Sequence, residues 1–391
     1  MIAPRTPLRK LIRWSLGAGL ALGLAGCLDT SLPDSGATTG SGGAPVKVAM
    51  LLPTSDQGAA TVAQALENAA RLAIADNPQR PVELTVYDTQ GQADVAAARA
   101  QEAADAGAQI ILGPLFGAAA NAAGRAVADD GIAVLSFSNT PSIAGGNVFI
   151  LGQTFQNTAN RLMAYAARQG RNGMVVVHPQ DDAGQIARIA VEQAAAQVGV
   201  QVLASEGYPL SVAGLSETAQ RTRASAAAGA DAVFITTDAS NAAMPMLLTM
   251  LPENGLTTDT VQYIGLTRWD IRPDLFALPG AEGSWFAVPD RASQQAFDAR
   301  YSQTFGIAPH PLAGLAYDGI AAVMGIASGN GQQATVDTSA LTRNAGFAGA
   351  MGQFRFLEDG TNTRALAVAT VQQQQVMILD PASSGLSARG F

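Results

Sequence analysis

Cysteine is all but missing: Cys27 is the single one in 391 residues. No disulfide can form within the chain, so its fold must rest on its core. Histidine is almost as scarce. His178 and His310 are the only two, and neither has a cysteine or a second histidine at metal-ligand spacing, so no metal site is expected. Charge is sparse as well, with 14% charged residues, a net charge of −8 and no long basic run. That excludes nucleic acid as the natural partner. The sequence lacks both the G-x-S-x-G elbow and the G-x-x-x-x-G-K-[ST] loop, and nothing else in it forms a catalytic constellation. It reads as a non-enzyme. What is present is apolar: 48% hydrophobic residues, over a length that allows two domains and a large core.

The N-terminus carries an address. "MIAPRTPLRKLIRW" holds Arg5, Arg9, Lys10 and Arg13 without an acid, and "SLGAGLALGLAGC" follows as a short apolar stretch. A basic start, a greasy middle and small residues at the end make a secretory signal, too short for a comfortable membrane span. Leu24-Ala25-Gly26-Cys27 resembles the lipobox of bacterial lipoproteins. The resemblance implies cleavage before Cys27, a diacylglyceryl and N-acyl lipid on that residue as the only attached group, and anchorage to a membrane facing the periplasm. In such proteins an Asp after the cysteine holds the chain at the inner membrane. Leu28 stands there, with Asp29 one place later, so the outer membrane is expected. "LDTSLPDSGATTGSGGAP" then reads as a flexible tether, with a coil reach of roughly 25 Å and a stretched reach of roughly 60 Å.

From Val46 onward strand-like and helix-like segments alternate. "VKVAMLLP", "VELTVYDT", "AQIILGP" and "IAVLSFSN" are apolar or β-branched runs, separated by helices such as "AATVAQALENAARLAIAD" with three- and four-residue apolar spacing. A second series runs through "MVVVHP", "DAVFITTD" and "VQYIGLT". Such alternation implies parallel sheets covered on both faces, an α/β fold of two doubly wound lobes around a cleft. The expected divisions are residues 1–26 as signal peptide and 27–45 as lipidated cysteine and tether. Residues 46–152 with about 290–332 would form an N-terminal lobe, 153–289 with about 333–380 a C-terminal lobe, and 381–391 a tail. Ligands in such sheets bind at the carboxyl ends of the strands.

Five segments, "GAQIILGPLFG", "GIAVLSFSNTP", "HPQDDAG", "LPGAEGSWFAVP" and "LAYDGIAAVMGIASG", give Val46 to about Leu379 a family likeness. The region resembles the type I periplasmic binding fold, in particular the branched-chain amino-acid binding group. Within it, "ALENAARLAI", "LSFSN" and "AGGNVFILGQTFQNTANRL" look most similar to penicillin-binding-protein activators. The resemblance implies a grip for an amino acid, but several of its parts are changed. Gly117 stands where a carboxylate-holding hydroxyl is expected, while Thr140 keeps the second hydroxyl. Phe155 and Thr267 stand where acids would receive the ammonium, and Ala183 where an aromatic would lie. Asn157, Asp181 or Asp182 would have to substitute in a shifted geometry.

The candidate cleft residues are Gly117, Ala118, Ser136, Ser138, Asn139, Thr140, Phe155, Thr267, Arg268 and Trp269. Backbone N–H groups at Gly117 and Ala118 open a helix and can meet an acidic group, or the small residues there serve close packing alone. Arg268 offers a cation for a carboxylate. Trp269 is placed either to stack on a ligand or to fill the core. Asp181 and Asp182 read as solvated loop acids, and Met244, Met246 and Met250 as core. Two functions follow. A regulator of a peptidoglycan synthase would touch a penicillin-binding protein through its outer surface; a solute-binding protein of an ABC transporter would hold a small ligand in the cleft.

Overall fold

The computed structural model describes residues 45–327 and 338–383. Cys27, the signal segment and the tether lie outside the described residues, as does most of the expected tail.

The first series runs β1 (Val46–Leu52), α1 (Ala60–Asp76), β2 (Val82–Asp88), α2 (Ala93–Asp105), β3 (Ile110–Leu112), α3 (Gly117–Ala126), β4 (Ala133–Ser136) and β5 (Val148–Ile150). Its strands pair in the order β2-β1-β3-β4-β5, all parallel. The central strands β3 and β4 are buried along their whole length, as expected when helices cover both faces. Alanine does much of the covering. Ala96, Ala100 and Ala103 of α2 and Ala119, Ala120 and Ala123 of α3 are buried, and such small side chains let the two neighbouring helices approach closely.

The second series is α4 (Phe155–Arg168), β6 (Gly173–Pro179), α5 (Asp182–Val198), β7 (Gln201–Tyr208), α6 (Val212–Ala226), β8 (Ala232–Ile235), α7 (Ala243–Glu253), β9 (Gln262–Gly265) and β10 (Trp285–Pro289). Its parallel part, β7-β6-β8-β9-β10, repeats the winding order of the first sheet. Thr154 caps α4: its hydroxyl accepts from the Asn157 backbone N–H at 3.2 Å and from the Asn157 side-chain amide at 3.0 Å. Thr154→Ala leaves both donors without that acceptor. It is expected to cost about 1 kcal/mol, read as a lower urea midpoint.

The chain then returns to the first core. α8 (Arg291–Phe305) and α9 (Ala313–Ile326) pack Phe297, Tyr301, Leu315 and Ile320 against the side chains of β1 and α1. The short α10 (Thr338–Leu341) precedes a three-stranded antiparallel sheet of β11 (Phe347–Gly349), β12 (Gly352–Phe356) and β13 (Asn362–Arg364). β14 (Leu366–Gln372) and β15 (Gln375–Asp380) finally join the second sheet antiparallel, beside β10. The expected assignment of 333–380 to the C-terminal lobe is therefore corrected in part. Leu341, Phe347, Phe354 and Phe356 belong to the core of the first sheet, and only β14 and β15 to the second. The alternating burial of β12 turns both of its phenylalanines onto that core.

Buried side chains tie the crossings between the sheets together. Asn362 donates to the carbonyls of Ile150 at 2.7 Å and Gly152 at 2.9 Å, and accepts from Asn157 at 2.9 Å. Arg364 donates to the Leu151 carbonyl at 2.7 Å and to Asp318 of α9 at 2.6 Å.

Candidate functional site

In each sheet the winding direction reverses at one place: between β1 and β3 in the first, and between β6 and β8 in the second. Loops leaving neighbouring strands there part in opposite directions and open a crevice. A cavity of about 770 Å³ draws on those loops. Asp56 follows β1, Phe116 and Gly117 follow β3, and Asp238 follows β8. The volume lies within the range of about 300–1,000 Å³ usual for small-ligand sites.

One wall is the start of α3. The first intrahelical bond is donated by Ala120 to the Phe116 carbonyl, so the N–H groups of Gly117, Ala118 and Ala119 lack helical acceptors. No side chain caps them. A Cβ on Gly117 would lie 3.3 Å from Ser138 Oγ and 3.4 Å from Thr140 Oγ1, so two hydroxyls flank the helix start. Backbone donors, the positive end of a helix and hydroxyls together suit an anion. The turn before it needs glycine: Gly113 has φ +93°, and a Cβ there would come within 2.3 Å of the Leu51 carbonyl oxygen. Leu115, Phe116, Phe137, Leu266, Ile271 and Leu312 supply apolar wall.

The charged groups are few. Asp56 Oδ1 accepts from the N–H groups of Gly58 at 2.8 Å and Ala59 at 3.0 Å, and Asp238 Oδ1 accepts from Ser240 N–H at 2.8 Å. These bonds leave Oδ2 of each acid available. Arg268 is engaged by Asp270 through a fork, with Nε donating at 3.0 Å and Nη2 to the other oxygen. Next to the lining residues Pro311 and Leu312, His310 Nδ1 accepts from Leu312 N–H at 3.1 Å, and burial lowers the pKa of its ring. Burial raises the carboxyl of Asp298, against the nearby positive charge of Arg268.

A sequence model of the periplasmic binding proteins matches residues 45–375. The chain belongs to that family. Among curated proteins none matches it. Solved structures agree on the fold. A branched-chain amino acid ABC transporter periplasmic ligand-binding protein from Burkholderia xenovorans is 18% identical with a TM-score of 0.69, over 86% of this chain and 96% of that one. An ABC transporter substrate-binding protein from Desulfitobacterium hafniense in complex with Leu is 20% identical with a TM-score of 0.64, over 86% and 100%. A solute-binding protein from Rhodopseudomonas palustris, in complex with 3,4-dihydroxybenzoic acid, is 19% identical with a TM-score of 0.60, over 87% and 98%.

In this periplasmic binding protein Gly117, Ser138, Asn139, Thr140, Phe155, Thr267 and Arg268 all line the one cavity. The Thr267 hydroxyl is already engaged, accepting from Ala239 N–H at 3.0 Å and donating to the Thr237 carbonyl at 3.2 Å. Three expected residues do not line it. Trp269 is fully buried and stacks on Phe286 at 5.9 Å, because Gly265 leaves room for the indole. Ser136 is also fully buried; its hydroxyl donates to the Pro114 carbonyl and accepts from Ser138 N–H, which shapes the loop. Ala118 faces solvent beyond the cavity wall. The proposed substitutes lie elsewhere too: Asn157 is in the buried network with Asn362, and Asp181 caps α5 through the Gly184 N–H at 2.7 Å. Asp182 sits in the first turn of that helix and lines no part of the cavity. The cavity's own acids, Asp56 and Asp238, went unforeseen. Both follow a buried strand, but so does Asp181 after β6, so that local feature alone does not single them out.

Proposed function

We propose that this periplasmic binding protein is the solute receptor of an ABC transporter and that its ligand is a small organic carboxylate with an apolar body. The observation that carries this reading is the open start of α3, flanked by Ser138 and Thr140, on a cavity walled mainly by aromatic and aliphatic side chains. The carboxylate meets the helix amides and the two hydroxyls, and the body lies against Phe116, Phe137 and Leu312. Asp56 and Asp238 then favour a hydrogen-bond donor, hydroxyl or ammonium, elsewhere on the ligand. Leucine and dihydroxybenzoate, held by two proteins of this fold, share that plan. A diacylglyceryl anchor at Cys27 would hold the receptor at a membrane, the outer one on the strength of Leu28. Among the described residues no helix is long and apolar enough to cross a bilayer.

Thermal melts of the mature protein with a panel of aliphatic, aromatic and amino carboxylates, each beside its neutral amide, test the reading. A cognate carboxylate at a hundred times its Kd should add about 2.7 kcal/mol of stability, and its amide far less. Melting unmoved by every carboxylate would overturn the receptor reading. The likeness to penicillin-binding-protein activators supports a second one, in which the outer surface does the work. Leu210 and Val212, 68% and 64% exposed at the start of α6, offer apolar contact there. Recovery of a penicillin-binding protein with the detergent-solubilised chain, together with ligand-insensitive melting, would favour it.

A further inference from the structure

A second cavity, of about 650 Å³, lies on the far side of the wall formed by Asn139, Thr140 and Phe155, which it shares with the first. Its other walls are α4 and α5 on one side and β12 with the residues up to β13 on the other. Two features of it are unusual for a structural gap.

The first is an unpaired cation. Arg355 lies on β12, between the buried Phe354 and Phe356, and lines this cavity. Its Nε is buried without a hydrogen-bond partner, and the guanidinium makes no ion pair with any described residue. The acid that lines the same cavity makes no ion pair with it: Asp359 Oδ1 accepts from Thr361 N–H at 2.9 Å and from its hydroxyl at 2.6 Å. Arg355 as a whole is half-buried, and Nε is its buried donor left unpaired, which is costly. The second feature is an apolar stripe that the core does not use. Ile186 and Ile189 of α5 are 48% and 43% exposed and line the same cavity, while the helix buries Ala187, Val191 and Ala194 on its inner side. Phe155 and Leu357 extend the apolar wall.

We propose that this cavity is a second ligand site, for a monocarboxylate with a long unbranched apolar chain. A carboxylate matches the planar fork of Arg355 and supplies the ion-pair partner that Arg355 lacks among the described residues. A phosphate would bring nearly two charges against a single cation, with Asp359 alongside. The chain lies along Ile186 and Ile189 and removes them from water. The site is built from residues outside the first cavity's charged groups, so it stands whether or not that cavity takes a carboxylate.

Isothermal titration of the mature protein with decanoate tests this, beside decanol as the uncharged probe. Decanoate should bind, with decanol at least tenfold weaker. Arg355→Gln should weaken decanoate at least tenfold, and so should Ile186→Asp with Ile189→Asp, which changes only exposed helix positions and leaves the core untouched. Gly117→Asp, in the first cavity, should change decanoate affinity by less than twofold. The proposal is overturned by absence of decanoate binding to the unaltered protein, by equal affinity in the Arg355→Gln and double-aspartate variants, or by loss of binding in Gly117→Asp alone, which would put decanoate in the first cavity.

Discussion

Asp318→Ala is expected to destabilise the protein by about 3–5 kcal/mol, read from urea unfolding. Asp318 and Arg364 are 0% and 1% exposed, and Nη1 of the arginine lies 2.6 Å from Oδ2 of the acid. The guanidinium also donates to the Leu151 carbonyl from Nη2 at 2.7 Å and from Nε at 3.2 Å, and it covers the ring of Phe354 at 4.8 Å. Asp318 Oδ1 accepts in turn from Met351 N–H at 3.3 Å. Gly349 packs so near that a Cβ on it would fall 2.1 Å from Asp318 Oδ1. Burial pushes the Asp318 carboxyl up, and Arg364 pulls it back towards the charged form. Removing the acid alone leaves a guanidinium in the core with carbonyls but no counter-charge. Removing both charges does not. Asp318→Leu combined with Arg364→Met should therefore recover most of the loss, since the desolvation cost of the pair disappears along with its attraction. A loss under 1 kcal/mol in Asp318→Ala would show that the pair is not what holds α9 to the crossing at Leu151.

The alternation of strand and helix was legible because buried parallel strands leave continuous apolar runs and their covering helices leave a three- and four-residue rhythm. β1, α1 and β2 follow the segments expected for them. The lining of the candidate cavity was legible where its residues follow strand ends, as Gly117, Thr140 and Arg268 do. It failed where a side chain's direction decides. Trp269 begins a single 3-10 turn after β9, and that turn sends the indole inward onto Phe286 beside its cavity-lining neighbour Arg268. Asp56 and Asp238 were invisible for a different reason. Locally each is an acid in a loop, like Asp181 or Asp182, and only the pairing of β1 with β3 and of β6 with β8 brings their loops to a crevice. Strand order is a long-range property that no local pattern records. The same holds for residues 347–356, whose alternating pattern announces a strand without saying which core its phenylalanines will meet.

Gly117→Asp is expected to lower affinity for a carboxylate ligand at least a hundredfold while leaving the fold as stable as before or more so. The two effects share one cause. Gly117 is the first residue of α3, whose leading N–H groups have no helical acceptor and no capping side chain. An aspartate in that turn sits at the positive end of the helix and should contribute about 0.3–1 kcal/mol to stability. The backbone there is helical rather than left-handed, so the side chain brings no backbone strain, and its Cβ meets Ser138 Oγ at 3.3 Å, close enough to press on that hydroxyl. The new carboxylate occupies the place and the donors that the ligand's carboxylate needs, and repels it as well. A hundredfold loss corresponds to about 2.8 kcal/mol, which displacement from several charge-assisted hydrogen bonds readily supplies. Gly117→Ser separates charge from bulk: it adds a third hydroxyl of similar size without a charge, and affinity should hold within a few-fold or rise. A Gly117→Asp variant that still binds the cognate carboxylate with unaltered affinity would place the ligand's anionic end away from α3, and the polar wall to examine would then be Arg268 beside Asp270.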